Sequence, residues 1–249
     1  MTSDRFVLLP PSQGKTPDGR GRFAARSGRF ASLGPQRREV VTALAAAVNT
    51  DPASAAKLLG ARGELLDRAL SDLERLSAGR APVLPAVERY SGVVWEHLHP
   101  SDLPVEQAES ILVPSAVLGW SAGTDPVPDH RLTFATSVPG LGRLDRWWRP
   151  HLTAALAEAT AGGEVWDLLP HEHAAAVDLD EVAVAARVIR VRFTSADGRR
   201  AAGHGAKAAK GRVARSILRG GLRSVVRFRW EGWQAVRTGD DEVEVRAPG

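Results

Sequence analysis

The chain has 249 residues, 43% hydrophobic and 25% charged, a length that supports a sizeable core and a composition that excludes wholesale disorder. It has no cysteine, which excludes disulfides, thiolate nucleophiles and Cys-ligated zinc or iron–sulfur sites. With 33 Lys+Arg against 29 Asp+Glu the net charge is only +4, so where the cations lie matters more than their sum.

Phe6-Val7-Leu8-Leu9, stopped by Pro10-Pro11, predicts a buried first strand that ends in a loop. Residues 12–36 are rich in Gly, Arg, Ser and Pro without an apolar period, and predict a long basic loop that is mobile or ordered only by a partner. Helices are expected over 37–48, over 52–77 with breaks near Gly60 and Gly63, and over 85–97. Asp51-Pro52 has the order of an N-cap followed by a first-turn proline, and Ser101 is placed to cap a short helix through Glu109. Ile111-Leu112-Val113 predicts a strand, residues 115–141 a structured loop, 143–161 a helix and 164–169 another strand. The β-branched stretch 182–194 precedes Asp197-Gly198, a hairpin signal. A basic amphipathic helix over 206–219 and a hairpin of 224–236 with 242–246 complete the chain. The sum is an α/β (α+β mixed) single domain over 1–249, with a mixed sheet and a helical insertion at about 37–109. No apolar run approaches the roughly 18 residues of a membrane span, and the N-terminal one is too short for a signal-peptide core; a cytoplasmic protein is expected.

Gly14-Lys15-Thr16 does not fit a P-loop, because Leu9 stands where the first glycine is needed and Pro10-Pro11 remove two N–H donors. Lys15 still falls beyond the carboxyl end of the first strand, where open α/β sheets bind ligands. The largest charge feature runs from Arg199 to Trp230, which holds ten basic residues and no acid. On the 206–219 helix, Lys207, Arg212, Arg215 and Arg219 share one arc and Ala206, Ala209, Val213 and Ile217 the opposite one. One face therefore packs and the other presents cations to a polyanion. Gly203-His204-Gly205 opens that helix, where free N–H groups, His204 and Lys207 would meet an anion. His171-Glu172-His173 and His97/His99 lack a third ligand, so no metal and no cofactor is expected.

Several separated runs resemble one family. Leu8-Leu9-Pro10-Pro11-Ser12-Gln13-Gly14-Lys15-Thr16 is similar to the opening of the YaaA peroxide stress resistance family. Glu88-Arg89-Tyr90-Ser91-Gly92-Val93-Val94-Trp95 resembles its aromatic segment. Ser115-Ala116-Val117-Leu118-Gly119, Asp125 and Arg131-Leu132 follow its central motif in register, with Ala122-Gly123 in place of Arg-Pro, Leu118 and His130 in place of tyrosines, and Thr133 in place of an acid. Trp147-Trp148, Asp167-Leu168, Ala206-Lys207-Ala208-Ala209-Lys210-Gly211 with Arg215, and Glu231-Gly232-Trp233 extend the resemblance to about residue 236. It implies a compact fold with a helix-hairpin-helix-like element and a positive cleft for duplex DNA. Gly60/Gly63 and Gly220-Gly221 are the candidate hairpins.

Two functions follow. One is a peroxide stress protein that grips duplex DNA without sequence specificity through Lys15, Lys207, Lys210, Arg212, Arg215 and Arg219. The other is an enzyme acting on a nucleotide, nucleobase or other small anion in the same cleft. There Asp125 or Asp167 would act as acid or base, Arg131 as anion clamp and His204 as proton shuttle, unless Asp125 and Arg131 form a structural ion pair.

Overall fold

The structure, a computed structural model, describes residues 5–248. Strand β1 (Arg5–Leu8) is followed by α1 (Gly34–Thr50), α2 (Ala55–Leu59) and α3 (Glu64–Ser77), then by β2 (Val83–Pro85) and the short helices α4 (Ala86–Arg89), α5 (Val93–Leu98) and α6 (Val105–Glu109). Next come β3 (Ile111–Ser115), β4 (Gly119–Ala122), β5 (Pro126–Pro128), β6 (Ser137–Val138), β7 (Gly142–Arg143) and α7 (Leu144–Thr160). The chain continues through β8 (Glu164–Asp167), α8 (His171–Ala174), α9 (Leu179–Val182), β9 (Arg187–Thr194), α10 (Gly203–Val225), β10 (Arg229–Trp230), β11 (Trp233–Arg237) and β12 (Glu242–Arg246).

Eight strands make one mixed sheet in the order β10-β11-β12-β9-β8-β1-β3-β4. Its middle, β12-β9-β8-β1-β3, is parallel, and antiparallel pairs close both edges. Parallel strands are covered on both faces, so they read as unbroken apolar runs. Val7, Leu8, Ile111, Leu112, Val165 and Trp166 are accordingly all 0% exposed. The chain steps from β1 to β3 on one side and returns to β8 on the other. That reversal opens a crevice at the carboxyl ends of β1 and β8.

Trp120, Trp148 and Trp166 fill the core. Trp120 and Trp148 donate their indole N–H groups to the Leu152 and Ala116 carbonyls at 2.9 and 2.8 Å. Helix α10 packs so closely on α5 that a Cβ on Gly211 would stand 2.2 Å from the Val94 oxygen and 2.9 Å from the Leu98 nitrogen. Backbone atoms cannot rotate away. Gly211→Ala is expected to cost about 2–3 kcal/mol in urea unfolding by forcing the two helices apart. Gly205→Ala, whose Cβ would meet only the Trp233 ring at 3.8 Å, is expected to be neutral or slightly stabilising.

The structure departs from the sequence expectation in several places, among them the 224–236 arm, which divides into the end of α10 and the two strands β10 and β11. Residues 85–97 are two helices, parted at Tyr90-Ser91-Gly92, where Gly92 takes φ +118°. Asp51 does stand at the N-cap position with Pro52 after it, but of a 3-10 turn, Pro52–Ser54, and without a side-chain cap bond, while Ser101 lies inside a 3-10 turn and α6 starts after Pro104. The 115–141 loop contains three short strands, β4, β5 and β6, which pair with β3, β2 and β7. Asp197-Gly198 turns the chain, but its return arm makes only an isolated bridge between Thr194 and Arg200. Helix α10 runs beyond 219 to Val225, across a kink at Gly220-Gly221 where Gly221 has φ +56°.

The N-terminal loop is held by the protein itself. Arg37, 3% exposed, donates from Nε and Nη2 to the Leu118 and Trp120 carbonyls and from Nη1 to those of Ala25 and Ser27. Arg89, 0% exposed, donates to the carbonyls of Thr16, Asp18, Pro82 and Val127. These bonds tie residues 16, 18, 25 and 27 to the body of the chain.

Candidate functional site

Helix α10 carries the densest cations, and the structure divides them between two clefts. The arc Ala206, Ala209, Val213 and Ile217 is buried, as amphipathic spacing requires. The first cleft, about 500 Å³, lies along the carboxyl half of α10 and the turn after its kink. Arg212, Arg215 and Arg219 line it from the helix, Arg227 and Arg229 from beyond the kink, and Asp102 supplies its one carboxylate. Arg215 is already committed. It donates to the Leu98 and His99 carbonyls at 2.8 Å each and meets Asp102 at 3.3 Å, so it ties α10 to the end of α5. Arg212, Arg219 and Arg227 make no ion pair among the described residues. The Arg212 guanidinium lies 5.8 Å from the Trp230 ring centroid, and its Nε–H is buried without an acceptor. A buried guanidinium donor without a partner is costly and fits an anion that would complete it.

The second cleft, about 1220 Å³, opens at the carboxyl ends of β1, β8 and β9. Pro10-Pro11 ends β1 there, Asp167 ends β8, and Lys207 and Lys210 enter from the first turns of α10. His173, on α8, completes its wall. Lys210 donates to the Leu168 carbonyl and lies 5.3 Å from the Phe193 ring centroid. Burial lowers its amine to about 8, against the opposing charge of Asp167. Burial likewise pushes the Asp167 carboxyl up, opposed by the Leu169 N–H and by Lys210, and pushes His173 down.

The remaining candidates lie outside both clefts. Lys15 sits 5.8 Å from the Tyr90 ring centroid, its amine lowered by burial to about 8. Asp125, 7% exposed, accepts from the Arg29 and Ala122 N–H groups at 2.9 and 2.8 Å. A Cβ on Gly28 would strike that carboxylate, so the glycine makes room for it. Arg131 donates instead to the Gly60 carbonyl and Gln13 Oε1, so Asp125 and Arg131 are not brought together. His204 stands edge-on to His97, which in turn packs on Trp230. The described residues hold no group of three His, Asp or Glu arranged for a metal, and no helix long and apolar enough to cross a membrane.

The family described as Peroxide stress protein YaaA matches residues 6–238. The chain belongs to the YaaA peroxide stress protein family. A UPF0246 protein of Streptomyces coelicolor is 35% identical over 248 residues, covering 98% of this chain and 93% of its own. One from Corynebacterium efficiens is 31% identical over 158 residues, covering 63% and 62%. One from Bacteroides thetaiotaomicron is 28% identical over 178 residues, covering 66% and 69%. All but one of the departures from the YaaA motifs noted above have a packed setting here, the exception being the exposed Thr133. Leu118 is core, and a Cβ on Gly123 would stand 2.2 Å from the Ala108 oxygen. His130 Nε2 bonds Ser115 Oγ at 2.8 Å, and Thr133 pairs with Thr136.

Sequence reasoning did not single out Arg37; it met Arg89 only inside the Glu88–Trp95 motif and His173 only as half of a metal pair without a third ligand, and it named Arg227 and Arg229 only as part of the charge block. For Arg227 and Arg229 the signal was present, since they follow Gly220-Gly221 in the acid-free stretch.

Proposed function

We propose that this YaaA-family protein acts in the peroxide stress response by binding duplex DNA along its phosphate backbone, in the arginine cleft at the kink of α10. The observation that carries this reading is the buried, acceptor-less Arg212 Nε–H beside the unpaired Arg219 and Arg227. Guanidinium groups match phosphate oxygens in a two-pronged geometry. The break at Gly220-Gly221, with a last helical turn after it, supports a helix-hairpin-helix-like grip on backbone rather than bases. Lys207 and Lys210 face the other cleft and are not phosphate contacts in this reading, and Arg215 acts as a structural tie. A duplex DNA partner makes the cytoplasm its place of action.

Fluorescence-anisotropy titration of labelled duplex at several salt concentrations tests it. The combined change Arg212→Gln, Arg219→Gln and Arg227→Gln is expected to lower the salt slope by up to about three units, one per lost phosphate contact. Lys207→Gln is expected to leave both slope and affinity as they are. An unchanged slope in the triple variant would remove the arginine cleft from the DNA interface.

A further inference from the structure

The cleft at the sheet edge has a floor that DNA binding does not use. Lys210 is one of only four lysines in the chain, with Lys15, Lys57 and Lys207. Its amine rests against Phe193 and has a single hydrogen-bond partner, the Leu168 carbonyl. Among the described residues it makes no ion pair, although Asp167 is near enough for its charge to act on the amine. A desolvated amine without a salt bridge gives up its proton more readily than a solvated lysine, which an arginine does not.

The groups around it are sorted by pairing. Arg190 and Arg192 are neutralised by Asp180 and Glu242. Lys207 and Arg200, on the same cleft, make no ion pair among the described residues. His173 Nδ1 is buried there without a hydrogen-bond partner. The site thus offers a nucleophile beside a carboxyl group, two free cations and an imidazole nitrogen that makes no hydrogen bond, with the Glu172 carboxylate 3.4 Å away. It lies in the crevice where parallel sheets place their ligands.

We propose that this cleft is a catalytic site separate from the DNA interface, in which the Lys210 amine condenses with the carbonyl of a small anionic aldehyde or 2-oxo acid. The Lys210 nitrogen adds to the carbonyl carbon, and the C=O π pair moves to oxygen. That oxygen takes one proton from the nitrogen and one from the Asp167 carboxyl, the C–O bond breaks and water leaves. A protonated imine remains opposite the Asp167 carboxylate, and neither oxidant nor reductant is consumed. The substrate's own carboxylate meets Lys207 and Arg200. His173 faces the same space as an acceptor for the departing water. This proposal stands independently of DNA binding.

The test is reductive trapping. Full-length protein is incubated with glyoxylate or pyruvate and cyanoborohydride, then digested and mapped by peptide mass spectrometry. The expected result is one adduct, on Lys210, with Lys15, Lys57, Lys207 and the N-terminal amine labelled at least tenfold less. Trapping should rise as pH approaches about 8. Lys210→Arg is expected to abolish the adduct while duplex binding and the circular dichroism spectrum stay as in the parent. Lys207→Gln should keep the adduct on Lys210 but require several-fold more oxo acid. Asp167→Asn should slow trapping without moving it. Equal labelling of all four lysines, or an adduct chiefly on Lys15, would overturn the proposal. So would a neutral aldehyde of the same size that labels Lys210 as efficiently as glyoxylate, since the site would then not select an anion.

Discussion

Arg37→Met is expected to destabilise the protein by about 3–5 kcal/mol and to lower Tm by about 10 °C. The Arg37 guanidinium reaches four carbonyls, those of Leu118 at 2.7 Å, Trp120 at 2.8 Å, and Ala25 and Ser27 at 3.0 Å. Methionine would replace the stem and leave the Leu118 and Trp120 acceptors buried and those of Ala25 and Ser27 partly buried without donors, each buried one at a cost of about 1–3 kcal/mol before relaxation. The loss is also topological. Ala25 and Ser27 belong to the N-terminal loop and Leu118 and Trp120 to the β3–β4 hairpin, so one side chain holds two segments together. Arg37→Lys is expected to recover little, because one ammonium cannot reach the same fork of acceptors. Arg89→Met, which frees carbonyls of Thr16, Asp18, Pro82 and Val127, is expected to be of similar size. Urea unfolding together with limited proteolysis of residues 16–29 measures both. A loss below about 1 kcal/mol with an intact loop would mean that water takes over the donors.

These two arginines show where reading from the sequence stops. Strand β1, the apolar run at Ile111, the stretch before Asp167 and the amphipathic arc of α10 were all legible, because period and burial are local properties of the chain. The order of residues 12–36 was not. The donors that fix it are 10 to 73 residues from their acceptors, and an arginine in a helix reads as solvent-facing charge. The candidate site was half legible for a similar reason. Helical spacing placed Lys207 with Arg212, Arg215 and Arg219 on one arc. It could not show that β1, β8 and β9 end against the first turn of α10 while α5 and β10 close on its later turns. That arrangement parts the lysines from the arginines. Asp125 was legible as a special acid. Its partners are backbone N–H groups, which leave no mark in a sequence, rather than Arg131.

Acid should destabilise the fold through His130 well above the carboxylate range. His130 Nδ1 lies 3.0 Å from the Pro128 carbonyl, which only accepts, so Nδ1 carries the proton. Nε2 must then accept from Ser115 Oγ at 2.8 Å, and that hydroxyl oxygen in turn accepts from the Val117 and Leu118 N–H groups. A second proton on the ring would turn the hydroxyl hydrogen into buried space with no acceptor. Burial, with Lys15 acting in the same direction, accordingly lowers His130 from 6.5 to about 3. Between those values the unfolded chain binds a proton that the folded one refuses. The stabilisation is therefore complete above pH 6.5 and is lost as pH falls toward 3. From pH 6.5 to 4.5 the loss should be about 2–3 kcal/mol in urea unfolding. His173, also lowered by burial, adds in the same sense, and Asp167, raised by burial, opposes both. Asp145 and Asp178, held down by Arg143 and Arg149, lose their contribution only at lower pH. His130→Phe should therefore be less stable at pH 7 yet show a flatter profile between pH 6.5 and 4.5, and His173→Gln should flatten it less. A wild-type profile that is already flat across that interval would mean that the ring is protonated in the folded protein and that the Ser115 hydroxyl has found another acceptor.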